Sequence, residues 1–289
     1  MAPTIGIVKI VYNQRKICSS ILRNIDDNSI PGVTFYIQDD CSSDGTYEEL
    51  RSSPVVNKVV TQTHRNLGPR GNVADLLEKT SADYLNFSAG DDFVCASSLR
   101  NLQAKLSGDT YDLIVGRVVR APLDIALEIS QNPHGPSDAV EEMAGQTAVV
   151  ERDWQSSQQM LETAAVIPGL IWTQGILVKS ELAKEAGYLK GGSVDDWGLI
   201  HNLAVISRRR ELRVLYDQNI IGVLGGRSDS LGMNVEKQLR DQIAAVETYW
   251  HPDFKKTALH NVITKKLNMM MAADISASQY SKILRKGLS

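Results

Sequence analysis

Four β-favouring runs near the N-terminus, Ile5 to Tyr12, Val33 to Gln38, Lys58 to Thr61 and Tyr84 to Phe87, are separated by segments with a different period. Ile17, Ile21, Leu22 and Ile25 recur at helical spacing in the first such segment, and Val73, Leu76 and Leu77 mark a helix over Asn72 to Lys79. A continuous run such as the first reads as a strand buried on both faces. Strands alternating with helices close into a parallel or mostly parallel sheet covered on both sides, because each crossover helix must pack back onto the sheet. The fold class expected is therefore α/β. Ligands of such sheets lie outside the carboxyl ends of the strands.

The second half is less regular. Tyr111 to Val119, Leu170 to Val178, Arg213 to Tyr216 and Ile220 to Leu224 read as strands, and Ser180 to Gly187 as a helix. Leu199, Leu203 and Ile206 mark a further helix, and from Val235 the apolar positions Leu239, Ile243, Val246 and Trp250 recur at three or four. Ala121 to Arg152, interrupted by Asn132-Pro133-His134-Gly135-Pro136, reads as an insertion or a loop on the acceptor side of a site. These shifts divide the chain at about residues 105 and 230, into 1–105, 106–230 and a helical extension over 231–289.

At 289 residues there is ample chain for a core. The formal charge of −3 excludes a general attraction to nucleic acid or anionic lipid. Cys18, Cys41 and Cys95 have neither metal-ligand spacing nor a disulfide framework, which points to a reducing, cytosolic location. The first apolar run is too short for a membrane span and lacks a basic leader region, so it is expected to be a strand and not a targeting segment.

Chemistry is concentrated in aspartates. Asp39-Asp40, with Asp44 close behind, and Asp91-Asp92 follow apolar runs, and Asp195-Asp196 precedes a helical one. Adjacent carboxylates repel each other and are rarely buried without a cation or hydrogen-bond donors. Pairs at strand ends suggest a divalent metal and a polyhydroxy, phosphate-bearing ligand. For a nucleoside diphosphate, Asp39 or Asp40 can accept from a base N–H, while Asp91 and Asp92 can hold ribose hydroxyls and a hard divalent ion. Asp195 and Asp196 offer a base. Plainer readings stand beside these: a turn and helix cap for Asp39 to Thr46, a solvated loop for Asp91-Asp92, and a charge at a helix start for Asp195-Asp196. The five histidines have no metal spacing, and Trp197 either packs the core edge or stacks on a sugar.

Taken in order, KIVYNQ, QDDCSSDGTYEEL, NLGPRGNVADLLEKTSADYLNFSAGDDF and SVDDWGL resemble the family 2 inverting glycosyltransferases of the GT-A fold. The resemblance covers residues 4 to 105 well and 165 to 230 loosely. It implies a Rossmann-like, mostly parallel sheet flanked by helices, with residues 1–105 binding a nucleotide sugar and 106–230 the acceptor and catalytic half. It places Tyr12 and Asp40 (or Asp39) at the base, Asn13 among the nucleotide-binding residues, and Asp91 and Asp92 at the ribose and a Mn²⁺ or Mg²⁺ ion; Arg70, one residue before the position where the family's arginine stands, can still reach a phosphate. Asp196, or its neighbour Asp195, matches the catalytic base. The implied reaction moves one sugar from a UDP-sugar, or a dTDP-sugar, to a glycan that is lipid-linked and destined for a bacterial surface polysaccharide such as O-antigen. A QxxRW signature of processive synthases is absent, which favours a single addition.

The chain departs from the family pattern at Ala89, where an acidic residue is usual, at Gly71, where the arginine usually stands, and at Asp195, where glutamate is usual. Lys282, Arg285 and Lys286 form either a solvated helix face or a weak membrane-surface contact at the cytoplasmic side. Two other classes remain: a nucleotidyltransferase, which would carry a glycine- and lysine-rich phosphate loop where this chain has KIVYNQRK, and a non-catalytic nucleotide- or glycan-binding protein.

Overall fold

Strand and helix alternate through the first hundred residues: β1 (Ile5–Val11), α1 (Cys18–Asp27), β2 (Val33–Asp39), α2 (Thr46–Ser52), β3 (Lys58–Gln62), α3 (Gly68–Lys79) and β4 (Tyr84–Ala89). The computed structural model describes residues 2–132, 141–142, 144–187, 195–226 and 235–272. The four strands are parallel, in the order β3-β2-β1-β4. Alternate residues of β1 face opposite sides of the sheet. Ile5 and Ile7 meet Ile21 and Ile25 of α1, and Val8 meets Val73 and Leu76 of α3. The apolar run is continuous because both faces are covered.

The chain continues through β5 (Asp92–Val94), α4 (Ala96–Gly108), β6 (Leu113–Pro122), α5 (Leu123–Gln131), β7 (Glu141–Glu142), α6 (Ala144–Glu151) and α7 (Ser157–Val166). Then follow β8 (Ile176–Lys179), α8 (Ser180–Ala186), α9 (Asp195–Ser207), β9 (Val214–Gly226), α10 (Val235–Tyr249) and α11 (Pro252–Ala272). Beyond β4 the sheet runs β8-β6-β9-β5, with β7 on β6. Here β8 is antiparallel to both neighbours, β9 is parallel to β6, and β5 is antiparallel to β9. The sheet is thus mixed, and its uninterrupted parallel part is the first half.

Several local expectations are corrected. Leu170 to Val178 is not one strand: Thr173–Gly175 form a 3₁₀ turn and only Ile176 onward joins the sheet. The buried Asn86 side chain holds that turn by donating to the Thr173, Gln174 and Ile176 carbonyls. The two expected closing strands are one, β9, with a register irregularity against β6 near Arg117. Of the two readings of Ala121 to Arg152, an insertion or a loop, an open loop is set aside: the segment contains α5 and α6, and Ala126 and Ile129 of α5 are buried with Phe93 and Val223. Ala96–Gly108 forms α4, with Leu99, Leu102 and Leu106 buried on one face. The helix expected from Asn72 begins four residues earlier, because Pro69 suits the first turn.

The C-terminal helices bury Leu239, Ile243, Val246, Phe254 and Val262 in the core that also holds α7 and α9. Trp197 resolves toward packing. It is buried, its indole N–H donates to the Ala164 carbonyl at 3.0 Å, and its ring lies 4.6 Å from that of Trp250. No described helix is long and apolar enough to cross a membrane. The basic residues Lys282, Arg285 and Lys286 lie outside the described residues.

His201 locks α9 to the start of α11. Its Nε2 accepts the His251 N–H at 2.9 Å, so Nδ1 carries the ring proton and faces Asn202 Oδ1 at 2.9 Å. Burial pushes its pKa from 6.5 down to about 4. The fold therefore requires the neutral ring. Its contribution is complete above pH 6.5 and is lost as the pH falls toward 4, on the order of 3 kcal/mol in all. Replacing His201→Gln should flatten that acid limb when unfolding free energy is measured by urea titration across this range. An unchanged slope would remove the ring from the account.

Candidate active site

Parallel register brings three strand ends level. Val11 pairs with Asp39, and Ile10 pairs with both Gln38 and Ala89, so β1, β2 and β4 finish along one edge. Strands lie about 4.8 Å apart, so the groups that follow these ends converge within a few strand widths. Tyr12 leaves β1 half-exposed, and Asn13 turns the chain with φ at 48°, a region that asparagine tolerates.

The segment after β2 is lashed to that turn. Ser42 Oγ accepts the Asn13 N–H at 2.8 Å, and Asn13 Oδ1 accepts the Ser43 N–H at 3.0 Å. Asp44 accepts from the Arg15 and Thr46 backbone amides and from the Thr46 hydroxyl, which shapes the entry to α2. Asp39 and Asp40 are both buried but differ in use. Asp40 Oδ1 accepts the Leu67 N–H at 2.7 Å and the Thr63 hydroxyl at 3.3 Å, tying down the loop before α3. Asp39 Oδ1 accepts the Ser42 N–H at 2.8 Å and Gln62 Nε2 at 3.0 Å, while its Oδ2 is buried without a partner.

Beyond β4 the chain reverses through Gly90 and Asp91 into β5. Asp91 is half-buried, whereas Asp92 is turned inward. Its Oδ2 accepts the Ala89 N–H at 3.2 Å and Gln174 Nε2 at 2.9 Å. Behind the turn stands Lys9, a fully buried lysine within β1. Burial pushes the Asp92 carboxyl up to about 7 and the Lys9 ammonium down to about 8, with the nearby negative charges of Asp92 and Asp91 opposing the fall at Lys9. The turn is also walled from β9. A Cβ at Gly225 would lie 2.1 Å from the Asp91 carbonyl oxygen, so only glycine allows that approach.

A magnesium-like ion is commonly held by one or two carboxylates together with substrate phosphates. Asp91 and Asp92 meet that minimum. Among the described residues no group of three or more His, Cys, Asp or Glu could hold a metal without a ligand's help. The donor set therefore fits an ion that arrives with a phosphate-bearing ligand. Arg70 lies in the first turn of α3 with its side chain buried. The backbone of Asp195 and Asp196 opens α9, and their side chains lie outside the described residues.

Lys9, Asn86 and Gln174 carry much of the site's rigidity and were not singled out by sequence reasoning. For Lys9 a signal existed, a lysine within an apolar strand. For Gln174 none did, because its partner is 82 residues away in the chain.

The profile of glycosyl transferase family 2 matches residues 7–154, just over half the chain. No curated protein sequence matches significantly. Among solved structures, S. aureus TarS 1–349 in complex with UDP-GlcNAc is similar with a TM-score of 0.64 at 12% identity, over 98% of this chain and 79% of that one. A mannosyltransferase from Pyrobaculum calidifontis, in complex with GDP-Man and Mn²⁺, is similar with a TM-score of 0.58 at 14% identity, over 100% of this chain and 81% of that one. At such identities the likeness concerns the fold.

The raised Asp92 pKa has a sign that can be checked. A carboxyl held at about 7 in the fold, against 3.8 in the open chain, favours the folded state below pH 3.8, and that advantage is lost as the pH rises through 7. The Asp92→Asn variant cannot ionise there. Its unfolding free energy should therefore gain on the wild type's between pH 4 and pH 7 in denaturant titrations; a constant difference would count against the buried, protonatable state.

Proposed function

This chain belongs to glycosyl transferase family 2, and from that premise we propose that it is an inverting enzyme moving one sugar from a UDP-sugar to a hydroxyl of a glycan. The protein is a glycosyltransferase; the carrier, stereochemistry and acceptor are the proposal. The observation that carries the donor reading is Asp39, whose buried Oδ2 lacks a partner at the sheet edge shared by Tyr12 and the Asp91 turn. An unpaired buried carboxylate oxygen is costly, and a pyrimidine N3–H would satisfy it. Uracil and thymine share that N–H, so dTDP is the second choice. Nucleotide-sugar complexes of TarS and of the Pyrobaculum mannosyltransferase lend the reading support from related folds.

In this reading Tyr12 and Asn13 flank the base, Asp39, with Asp40 beside it, orients it, and Arg70 lies on the phosphate side. Asp91, with Asp92 behind it, would hold Mn²⁺ or Mg²⁺. When bound, such an ion supplies Lewis-acid neutralisation of the departing diphosphate. Asp196, or Asp195, takes the proton of the acceptor hydroxyl as its oxygen attacks the anomeric carbon from the face opposite the leaving group, so one displacement inverts the centre. Carboxylates on rigid strand ends suit this step because positioning supplies much of the rate. The acceptor is a growing glycan, lipid-linked and bound for a surface polysaccharide. The enzyme works at the cytoplasmic side, with the basic C-terminal tail as a weak membrane contact. This part follows from the sequence resemblance.

A thermal-shift and hydrolysis screen of nucleotide sugars, with and without Mn²⁺, should select uridine carriers and lose the effect on adding EDTA. Preference for guanosine carriers would overturn the base assignment. The Asp196→Asn variant should lose on the order of 10²- to 10⁴-fold in turnover while binding UDP as before. Wild-type turnover in that variant would move the base elsewhere, and unchanged UDP binding with no turnover in either protein would favour a binding protein over an enzyme.

A further inference from the structure

We infer that Lys9 is a positioning residue of the donor site, its enclosed ammonium fixing the turn that carries Asp91; the inference rests on reading that turn as the diphosphate end of the site. Lys9 sits within β1, the strand flanked by β2 and β4, among Ile7, Val8 and Val11, where an apolar side chain is the ordinary occupant. Removing an ammonium from water is costly, and a hydrophobic side chain of similar volume in its place is often neutral or stabilising. Stability alone therefore does not account for a lysine here.

Its hydrogen bonds do. The ammonium has three donors, and all three go to one short segment: Ser88 Oγ at 2.9 Å, the Ala89 carbonyl at 2.7 Å and the Asp92 carbonyl at 2.6 Å. The two carbonyls bracket Gly90 and Asp91, so one fixed charge sets the direction of the peptide groups on both sides of the reversal. No other part of the chain draws on this lysine for a hydrogen bond in the described geometry. From the other side Gln174 Nε2 holds Asp92 Oδ2 at 2.9 Å, and Asn86 anchors the 3₁₀ turn that bears Gln174. The turn is built before any donor or ion arrives, with Asp91 at its crest. In this view Lys9 touches neither substrate nor ion and acts through Asp91.

The test uses the full-length protein. In Lys9→Met, which keeps the volume and removes the three donors, hydrogen exchange over residues 88–92 should accelerate in the absence of ligand. UDP affinity measured by calorimetry with Mn²⁺ should fall on the order of tenfold, the low end of the loss seen when a partner supporting a metal ligand is removed. A variant that melts lower but whose folded population binds UDP as tightly as wild type would show a structural role only and overturn the inference. Should Lys9→Met fail to fold, Gln174→Met releases the same turn from its other side and is expected to lose affinity in the same way. Wild-type affinity in every folded variant overturns this inference alone. A wild type that binds no nucleotide sugar overturns the reading of the site and this inference with it.

Discussion

The parallel register of β1 with β2 and β4 is the constraint from which the rest follows. Because Val11 stands opposite Asp39 and Ile10 opposite Ala89, three chain segments far apart in sequence leave the sheet at one level. Each leaves through a turn that hydrogen bonds to a neighbour. Asn13 exchanges bonds with Ser42 and Ser43, Asp40 secures Leu67, and Asp92 is held by Gln174. A slip of one residue in any strand would reverse its side chains between the two faces. It would also separate the turns that now hydrogen bond to one another at the strand ends. The covered faces, with α1 and α4 on one side and α3, α7 and α9 on the other, forbid such a slip by burying alternate residues in distinct clusters.

Asp39, Asp40, Asp44 and Asp92 each spend an oxygen on a backbone amide and so shape the turns along this edge, and the second oxygen of Asp39 is buried without a partner. The plain reading of the acidic segments as turns and caps therefore holds for Asp39, Asp40 and Asp44, whose oxygens accept from nearby backbone amides. At a strand end neighbouring side chains point in opposite directions, so adjacent aspartates reach different partners: Asp39 meets Ser42 and Gln62, Asp40 meets Thr63 and Leu67. Of Asp91 and Asp92, the second is buried beside the Lys9 ammonium and the first is half-buried on the reversal.

Beyond β4 the antiparallel strand β8 lets the sheet turn back on itself and brings β9 against the Asp91 turn. Glycines at 222 and 225 make the approach possible, since a side chain at either would strike the Gln174 or Asp91 backbone. The C-terminal helices complete the core around Trp197, Trp250 and His201.

The first half of the fold was legible in the sequence because its signals are local: period, breaker residues and apolar runs belong to contiguous segments, and so do the aspartate pairs with their order and spacing. The helices over Ala96–Gly108 and Leu123–Gln131 had the same kind of signal in Leu99, Leu102 and Leu106 and in Ala126 and Ile129, and went unread because the segments around them lack regular punctuation. The 3₁₀ turn at Thr173, the merger of two strands into β9 and the inward turn of Asp92 had no such signal. Each depends on partners fifty or more residues away, on Asn86 for the turn, on β6 for the strand and on Gln174 for the carboxylate. Sequence determined which residue types stand at the ends of the strands, since that is a property of neighbours along the chain. Only the tertiary structure decided which oxygen is spent and which is free, because hydrogen bonds between distant segments form when packing brings them together.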